Sequence, residues 1–192
     1  MNTIYAIRND GFKFQELDLE VGDFIDAFPE EIDYNTAHDF SIENLAMGKW
    51  WTPLTTNFIN IEDSSTAPIP DICKWIDATL VLSPKAYRLI GETLKPFGEL
   101  LPITISGDTF YIFNCLTTAE VDEQKCEKEF HQGEEVGVKV LAFAAENQEK
   151  LIFKTPYQSC MDLFCGNRLK EVVTSFGLTG VIFDENLVRK FD

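Results

Sequence analysis

Residues 77–121 constrain the fold most, because each part of this block has a local physical cause. Residues 79–82 form a short apolar run suited to a buried strand. Ser83 stands where its hydroxyl can accept a hydrogen bond from a free N–H in the first turn of a helix. Pro84 fits the first helical position, where a missing N–H removes no intrahelical bond. Tyr87, Ile90 and Leu94 recur at i, i+3 and i+7, with Ala86 and Leu89 beside them, so the spacing predicts an amphipathic helix that ends at Lys95-Pro-Phe-Gly98. Residues 101–105 and 110–115 then flank Ser106-Gly-Asp-Thr109, a hairpin with Gly in its turn.

A chain of 192 residues with 45% hydrophobic residues and 16 Phe can bury one substantial core. Its apolar runs are short and broken by charge, so no transmembrane helix is expected. The first ten residues lack a basic start followed by a long apolar stretch; without a signal peptide, the expected location is the cytoplasm. Five Cys is an odd number without paired spacing, as expected of idle thiols in a reducing compartment.

The net charge of −16 is unevenly distributed. Residues 10–44 hold eleven acids and one base, and residues 119–135 hold seven acids and two bases, so these two stretches carry −15 between them. From residue 136 onward seven bases balance seven acids. The bland interpretation is a solvated face that keeps the protein soluble. The sharper one is a surface that meets a basic partner. Direct nucleic-acid binding is disfavoured, because phosphates would be repelled.

Other segments read as follows. Residues 3–7 look like an opening strand, Asn9-Asp-Gly11 a turn, and Phe12, Phe14, Leu17 and Leu19 a return, which together suggest a hairpin. Val21, Phe24, Ile25 and Phe28 suit a short helix ended by Pro29, with Asp23 and Asp26 outward. Residues 30–42 are expected as loop, 56–61 as a strand and 62–70 as an exposed loop. Trp50 and Trp51 cannot both face one core if extended, so one is expected inside and the other on display. Residues 119–135 read as a solvated loop or a charged strand end, 138–143 and 151–154 as strands, and 161–165 as extended or irregular. Asn167 would cap a helix with the stripe Leu169, Val172, Val173 and Phe176, stopped by Gly177, before a last strand over 181–183. The class is therefore α+β: a mixed, mainly antiparallel sheet with two to four short helices packed on it. Residues 1–192 make one domain, with 77–192 as the core portion and 1–76 as an N-terminal portion that can form a smaller lobe.

The search for chemistry returns little. No G-x-S-x-G, Walker-type, G-x-G-x-x-G or H-E-x-x-H pattern occurs, and the two histidines are His38 and His131. A Cys–His pair using Cys126 or Cys165 has nothing to support it. Cys160 and Cys165 lack a second ligand pair for zinc, and His38 with Asp39 lacks a third ligand. No catalytic residue, metal or cofactor is assigned. The candidates for contact with a partner are Asp23, Asp26, Glu30, Glu31, Asp33, Glu120, Asp122, Glu123, Glu134 and Glu135, with Trp50 and Trp51 as aromatic anchors.

Several stretches resemble the bacterial polymorphic-toxin immunity proteins of family eleven. They are Leu80-Val-Leu-Ser-Pro-Lys-Ala, Leu101-Pro-Ile103, Gly107-Asp-Thr-Phe-Tyr-Ile-Phe-Asn114, Met161-Asp-Leu-Phe and Leu178-Thr-Gly-Val-Ile-Phe183. An aspartate that the family often carries after the hairpin corresponds to Asp122, although Gln124-Lys-Cys replaces the usual small residues behind it. The resemblance implies a cytoplasmic protein that neutralises a cognate toxin domain by stoichiometric binding, with no active site of its own. Such a toxin is expected to be basic and to act on a cytosolic target, and an acidic patch would speed the encounter. The alternative is an enzyme of unrecognised, hydrolase-like type with a cleft beside the hairpin over 100–115.

Overall fold

The structure, a computed structural model, describes residues 3–29, 31–61 and 66–188. In chain order the elements are β1 (Ile4–Asn9), β2 (Glu16–Leu17), α1 (Val21–Asp26), α2 (Tyr34–His38), β3 (Thr55–Thr56), β4 (Phe58–Ile59), β5 (Ile72–Lys74), β6 (Thr79–Leu82), α3 (Pro84–Leu94), β7 (Gly98–Ile105), β8 (Asp108–Cys115), β9 (Glu127–His131), β10 (Glu134–Val140), β11 (Ile152–Phe153), β12 (Phe164–Gly166), α4 (Asn167–Ser175) and β13 (Val181–Asp184).

The block that constrains the fold forms the predicted strand, helix and hairpin, except that Leu89, expected beside the helix's apolar stripe, is exposed. The Ser83 hydroxyl accepts from the Ala86 N–H at 3.1 Å, Pro84 opens α3, and Ala86, Ile90 and Leu94 face inward. The β7–β8 ladder runs from Gly98 opposite Cys115 to Ile105 opposite Asp108. Its turn is Ser106-Gly107, with φ of 52° and 91°, the left-handed pair that a two-residue hairpin loop needs. Gly98 is required for a different reason: a Cβ there would lie 2.1 Å from the Asn114 carbonyl oxygen.

This hairpin is the middle of a five-stranded sheet, ordered β3-β7-β8-β6-β5, antiparallel except for β3 beside β7. Alternation gives the sheet two apolar faces. On one face Leu80, Leu82 and Phe113 meet α3, α4 and the inner side of a second sheet, through Tyr5, Ile7 and Cys165. On the other face Val81, Leu101, Ile103, Ile105, Phe110 and Ile112 meet the N-terminal segment. The second sheet, β11-β12-β1-β13, is antiparallel, and its outer face buries Ala6, Phe153 and Phe164 against Ala119, Val138 and Leu141. The architecture is α+β and mainly antiparallel.

Residues before 77 form no separate lobe. They supply β1 to one sheet and β3 and β5 to the other, and they cover the central sheet through Phe24, Phe40 and Met47. Phe24 is the hub of this layer, with ring centroids at 4.8 Å to Phe28, 5.3 Å to Phe40, 5.7 Å to Trp51 and 4.9 Å to Trp75. The two sheets are stitched at β5. The Ile72 N–H donates to the Thr179 carbonyl at 2.9 Å, and the Asn9 amide both accepts from the Lys74 N–H at 2.7 Å and donates to its carbonyl at 3.2 Å.

Several expectations are corrected. The first twenty residues make no hairpin: β1 pairs with β12 and β13, while β2 pairs with β4. Tyr5, Ala6 and Ile7 are buried on both faces of β1, while Leu17 and Leu19 of the return segment pack instead into the layer over the central sheet. The stretch 30–42 contains α2, because the Asp33 carboxylate accepts from both the N–H and the hydroxyl of Thr36, at 3.0 and 2.6 Å. Ala37 is its buried residue, so no apolar stripe announces it. Residues 127–140 form the β9–β10 ribbon rather than a solvated loop followed by a strand over 138–143. Its turn, Gln132-Gly133, has φ of 52° and 90°. At α4 the N-cap is Gly166 and not Asn167, and Phe176 is largely exposed. The loop expected over 62–70 lies partly outside the described residues, at 62–65. Among the described residues no helix is long and apolar enough to cross a membrane.

Candidate functional site

The first acidic stretch lies on the N-terminal layer. In α1, Phe24 points into the core, which leaves Asp23 and Asp26 exposed on the other side of one helical turn. Glu31 is exposed as well. Asp33 does structural work as the α2 cap, and its bonds to the Thr36 hydroxyl and N–H hold its carboxyl below the usual range. Glu30 lies outside the described residues.

Neither tryptophan is on open display. The Trp50 N–H donates to the Met47 carbonyl at 2.9 Å, so the chain turns here and adjacent side chains are not forced to opposite faces. Both are half-buried against the central sheet's N-terminal face. Trp51 packs on Phe24 and Phe28, and its indole N–H donates to the Pro102 carbonyl at 2.8 Å. The Lys49 ammonium sits 3.5 Å from the Trp50 ring centre.

The second acidic stretch borders the outer face of the second sheet. Glu120 and Glu123 expose their side chains, while Asp122 pairs with Lys125 at 2.6 Å and its N–H donates to the Ala142 carbonyl at 2.8 Å. That hydrogen bond and ion pair with Asp122 raise the Lys125 pKa. Glu134 and Glu135 stand on the ribbon. Glu135 pairs with Lys128 at 2.6 Å, and Lys139 pairs with Glu127 at 2.7 Å. The first stretch lies on the layer that covers the central sheet and the second beside the outer face of the second sheet, and the two approach each other at Lys154, whose ammonium donates to the Ser41 carbonyl and whose own carbonyl accepts from the Ala119 N–H at 2.9 Å. The candidate carboxylates fall into two groups by the element that carries them. Asp23, Asp26, Glu31 and Asp33 share the first, and Glu120, Asp122, Glu123, Glu134 and Glu135 the second.

Reactive groups are placed where they react poorly. Burial pushes the Cys73 thiol up to about 12, Cys115 to about 11, and Cys165 and Cys160 upward as well, so these thiols stay protonated at neutral pH. His38 lies on the surface with its Nδ1 2.6 Å from Asp39. A cleft of about 220 Å³ opens at β5, lined by Asn9, Gln15, Glu16, Cys73, Lys74 and Trp75. Among the described residues no three His, Cys, Asp or Glu side chains converge on a metal position.

No sequence pattern announced the buried polar seam under the N-terminal layer. The Lys154 side chain is fully buried and its ammonium donates to the Ser41 carbonyl. The Ser41 hydroxyl donates to Asp77 at 3.3 Å, and Lys74 pairs with Asp162 at 2.9 Å inside the protein. Burial lowers the Lys154 pKa and raises that of Asp77. Glu99 completes the seam at the end of β7. Its carboxylate accepts from the N–H groups of Met47 and Gly48 and from the Asn114 amide, at 2.6, 2.9 and 2.8 Å. These contacts hold residues 41–48 against the ends of the sheets. Lys154 follows three apolar residues in sequence and looks like the polar end of a strand, so only the fold reveals it.

A scan against protein-family models and a search of curated proteins return no match to this chain.

Proposed function

We propose that the protein acts by binding another protein, and specifically that it neutralises a basic toxin domain by stoichiometric complex formation in the cytoplasm. The observation that carries this reading is the placement of charge. Stretches that account for −15 of the net −16 border the outsides of the two sheets, where a partner can reach them. A surface of one sign raises the encounter rate with a partner of the other sign and discourages wrong ones. The resemblance of residues 80–183 to family-eleven immunity proteins supplies the kind of partner. The hydrolase alternative draws no support from the β5 cleft, whose thiol is protonated at neutral pH.

Co-expression with the toxin domain encoded by the adjacent gene tests the proposal. Growth should be restored by this chain, and the purified pair should form a one-to-one complex. Continued killing at matched expression, with no complex on gel filtration, would refute it.

A further inference from the structure

Resting on that reading, we infer that the β9–β10 ribbon is the element that docks, and that it grips a basic protein surface containing an apolar pocket. The ribbon is a two-stranded sheet paired with neither of the larger ones. A lone hairpin is marginal in water, so something must hold it in shape. Its stem is fixed by three contacts. Val138 is buried in the core beside the second sheet. The Lys128 ammonium donates to the Tyr157 carbonyl at 2.8 Å and sits 4.2 Å from that tyrosine's ring centre. Cys126 accepts from the Ala142 N–H at 3.3 Å and donates to its carbonyl at 3.4 Å.

Beyond this stem the ribbon displays two large apolar side chains, Phe130 at 61% exposure and Val136 at 59%. Phe130 lies opposite Glu135, whose carboxylate is held by Lys128, while Glu129 and Glu134, adjacent in the strands, project from the ribbon's other face. An aromatic anchor beside an ordered ion pair, on a pre-ordered support, is the pattern that concentrates binding energy in few residues. The backbone edges are ill suited to strand addition. The register shifts between Glu135 and Gly137 and again between Val138 and Val140, and such bulges blunt an edge. The partner is therefore held by side chains.

Charge decides what that partner is. A second copy also carries −16, and nucleic acid and anionic membrane are negative, so each would be repelled. A basic protein is attracted.

The test measures binding of the full chain to the toxin domain encoded by the adjacent gene, by surface plasmon resonance at low and physiological salt. Phe130→Ala should weaken the complex at least roughly ten-fold, mainly through faster dissociation, with Val136→Ser acting in the same direction. Glu134→Gln should mainly slow association at low salt. Asp23→Asn with Asp26→Asn, which lie outside the ribbon, should slow association at low salt and leave the dissociation rate unchanged. Thermal unfolding should stay at the wild-type midpoint for all of them, because each changed side chain is exposed. Wild-type affinity in both Phe130→Ala and Val136→Ser would overturn the ribbon's role while leaving the proposed function intact. Absence of binding by the wild-type chain would overturn both.

Discussion

Truncating Phe24 should destabilise the whole protein, because the N-terminal layer and the sheets share one cooperative core. Phe24 is completely buried and touches four other aromatic rings. A Phe→Ala change at such a site costs about 3–5 kcal/mol, from lost burial and the cavity left behind. For a domain of this size each kcal/mol moves the midpoint by about 2–4 °C, so Phe24→Ala should melt roughly 6–20 °C lower. The assay has a built-in reporter. All three tryptophans, Trp50, Trp51 and Trp75, pack against the N-terminal face of the central sheet, so intrinsic fluorescence reads this layer alone. Far-UV circular dichroism reads the helices and both sheets. The two transitions should shift together, since the layer rests on Leu101, Ile103 and Ile112 of the central sheet. A loss below about 1 kcal/mol, outside the range for a buried Phe, would show that Phe24 is not the hub. A fluorescence transition that moved while the dichroism stayed would show that the layer unfolds by itself.

Ser83→Ala removes the α3 cap, and chemical denaturation should show a loss of about 1 kcal/mol; no change would mean the Ala86 N–H finds another partner. Asp77→Asn should raise the melting temperature near pH 7. Burial raises the Asp77 pKa in the fold above the ordinary carboxylate value, so the contribution of its protonated form is lost as pH rises through the folded value. Asparagine does not ionise and also tolerates the φ of 38° found there, so its advantage should shrink as pH falls toward 3.8; a gain that persists at low pH would point to the backbone alone. In thiol labelling at pH 8, Cys73, Cys115 and Cys165 should stay unmodified until denaturant is added, and rapid native-state labelling of Cys73 would contradict its burial.

What could be read from the sequence followed the range of the interactions involved. Ser83, Pro84 and the i, i+3, i+7 stripe act within a few residues, so α3 begins and ends where they say. The β7–β8 hairpin is equally local, and its ladder extends beyond the expected strands, to Gly98 at the start of β7 and Asp108 at the start of β8. In α4, Leu169 and Val173 are buried as their spacing implies, yet Phe176, on the same stripe, is exposed because the core ends before it. The ribbon was hidden in a charged stretch. Its strands bury little besides Val138; Val136, Val138 and Val140 alternate in β10, but β9 carries Phe130 as its one apolar residue, so the Gln132-Gly133 turn was the signal that joined the two.

By itself the sequence determined the strand–helix–hairpin block, the α+β class and the imbalance of charge, since each depends on near neighbours or on composition. Tertiary structure decided which strands pair. It placed β1 between β12 and β13, more than 150 positions away along the chain, because a buried strand must pair the backbone groups on both of its edges wherever partners occur. It also brought two acidic stretches some seventy positions apart to either side of Lys154, put that lysine under Ser41, and raised Phe130 on a stem. Those outcomes depend on how layers stack, and no local pattern encodes the stacking.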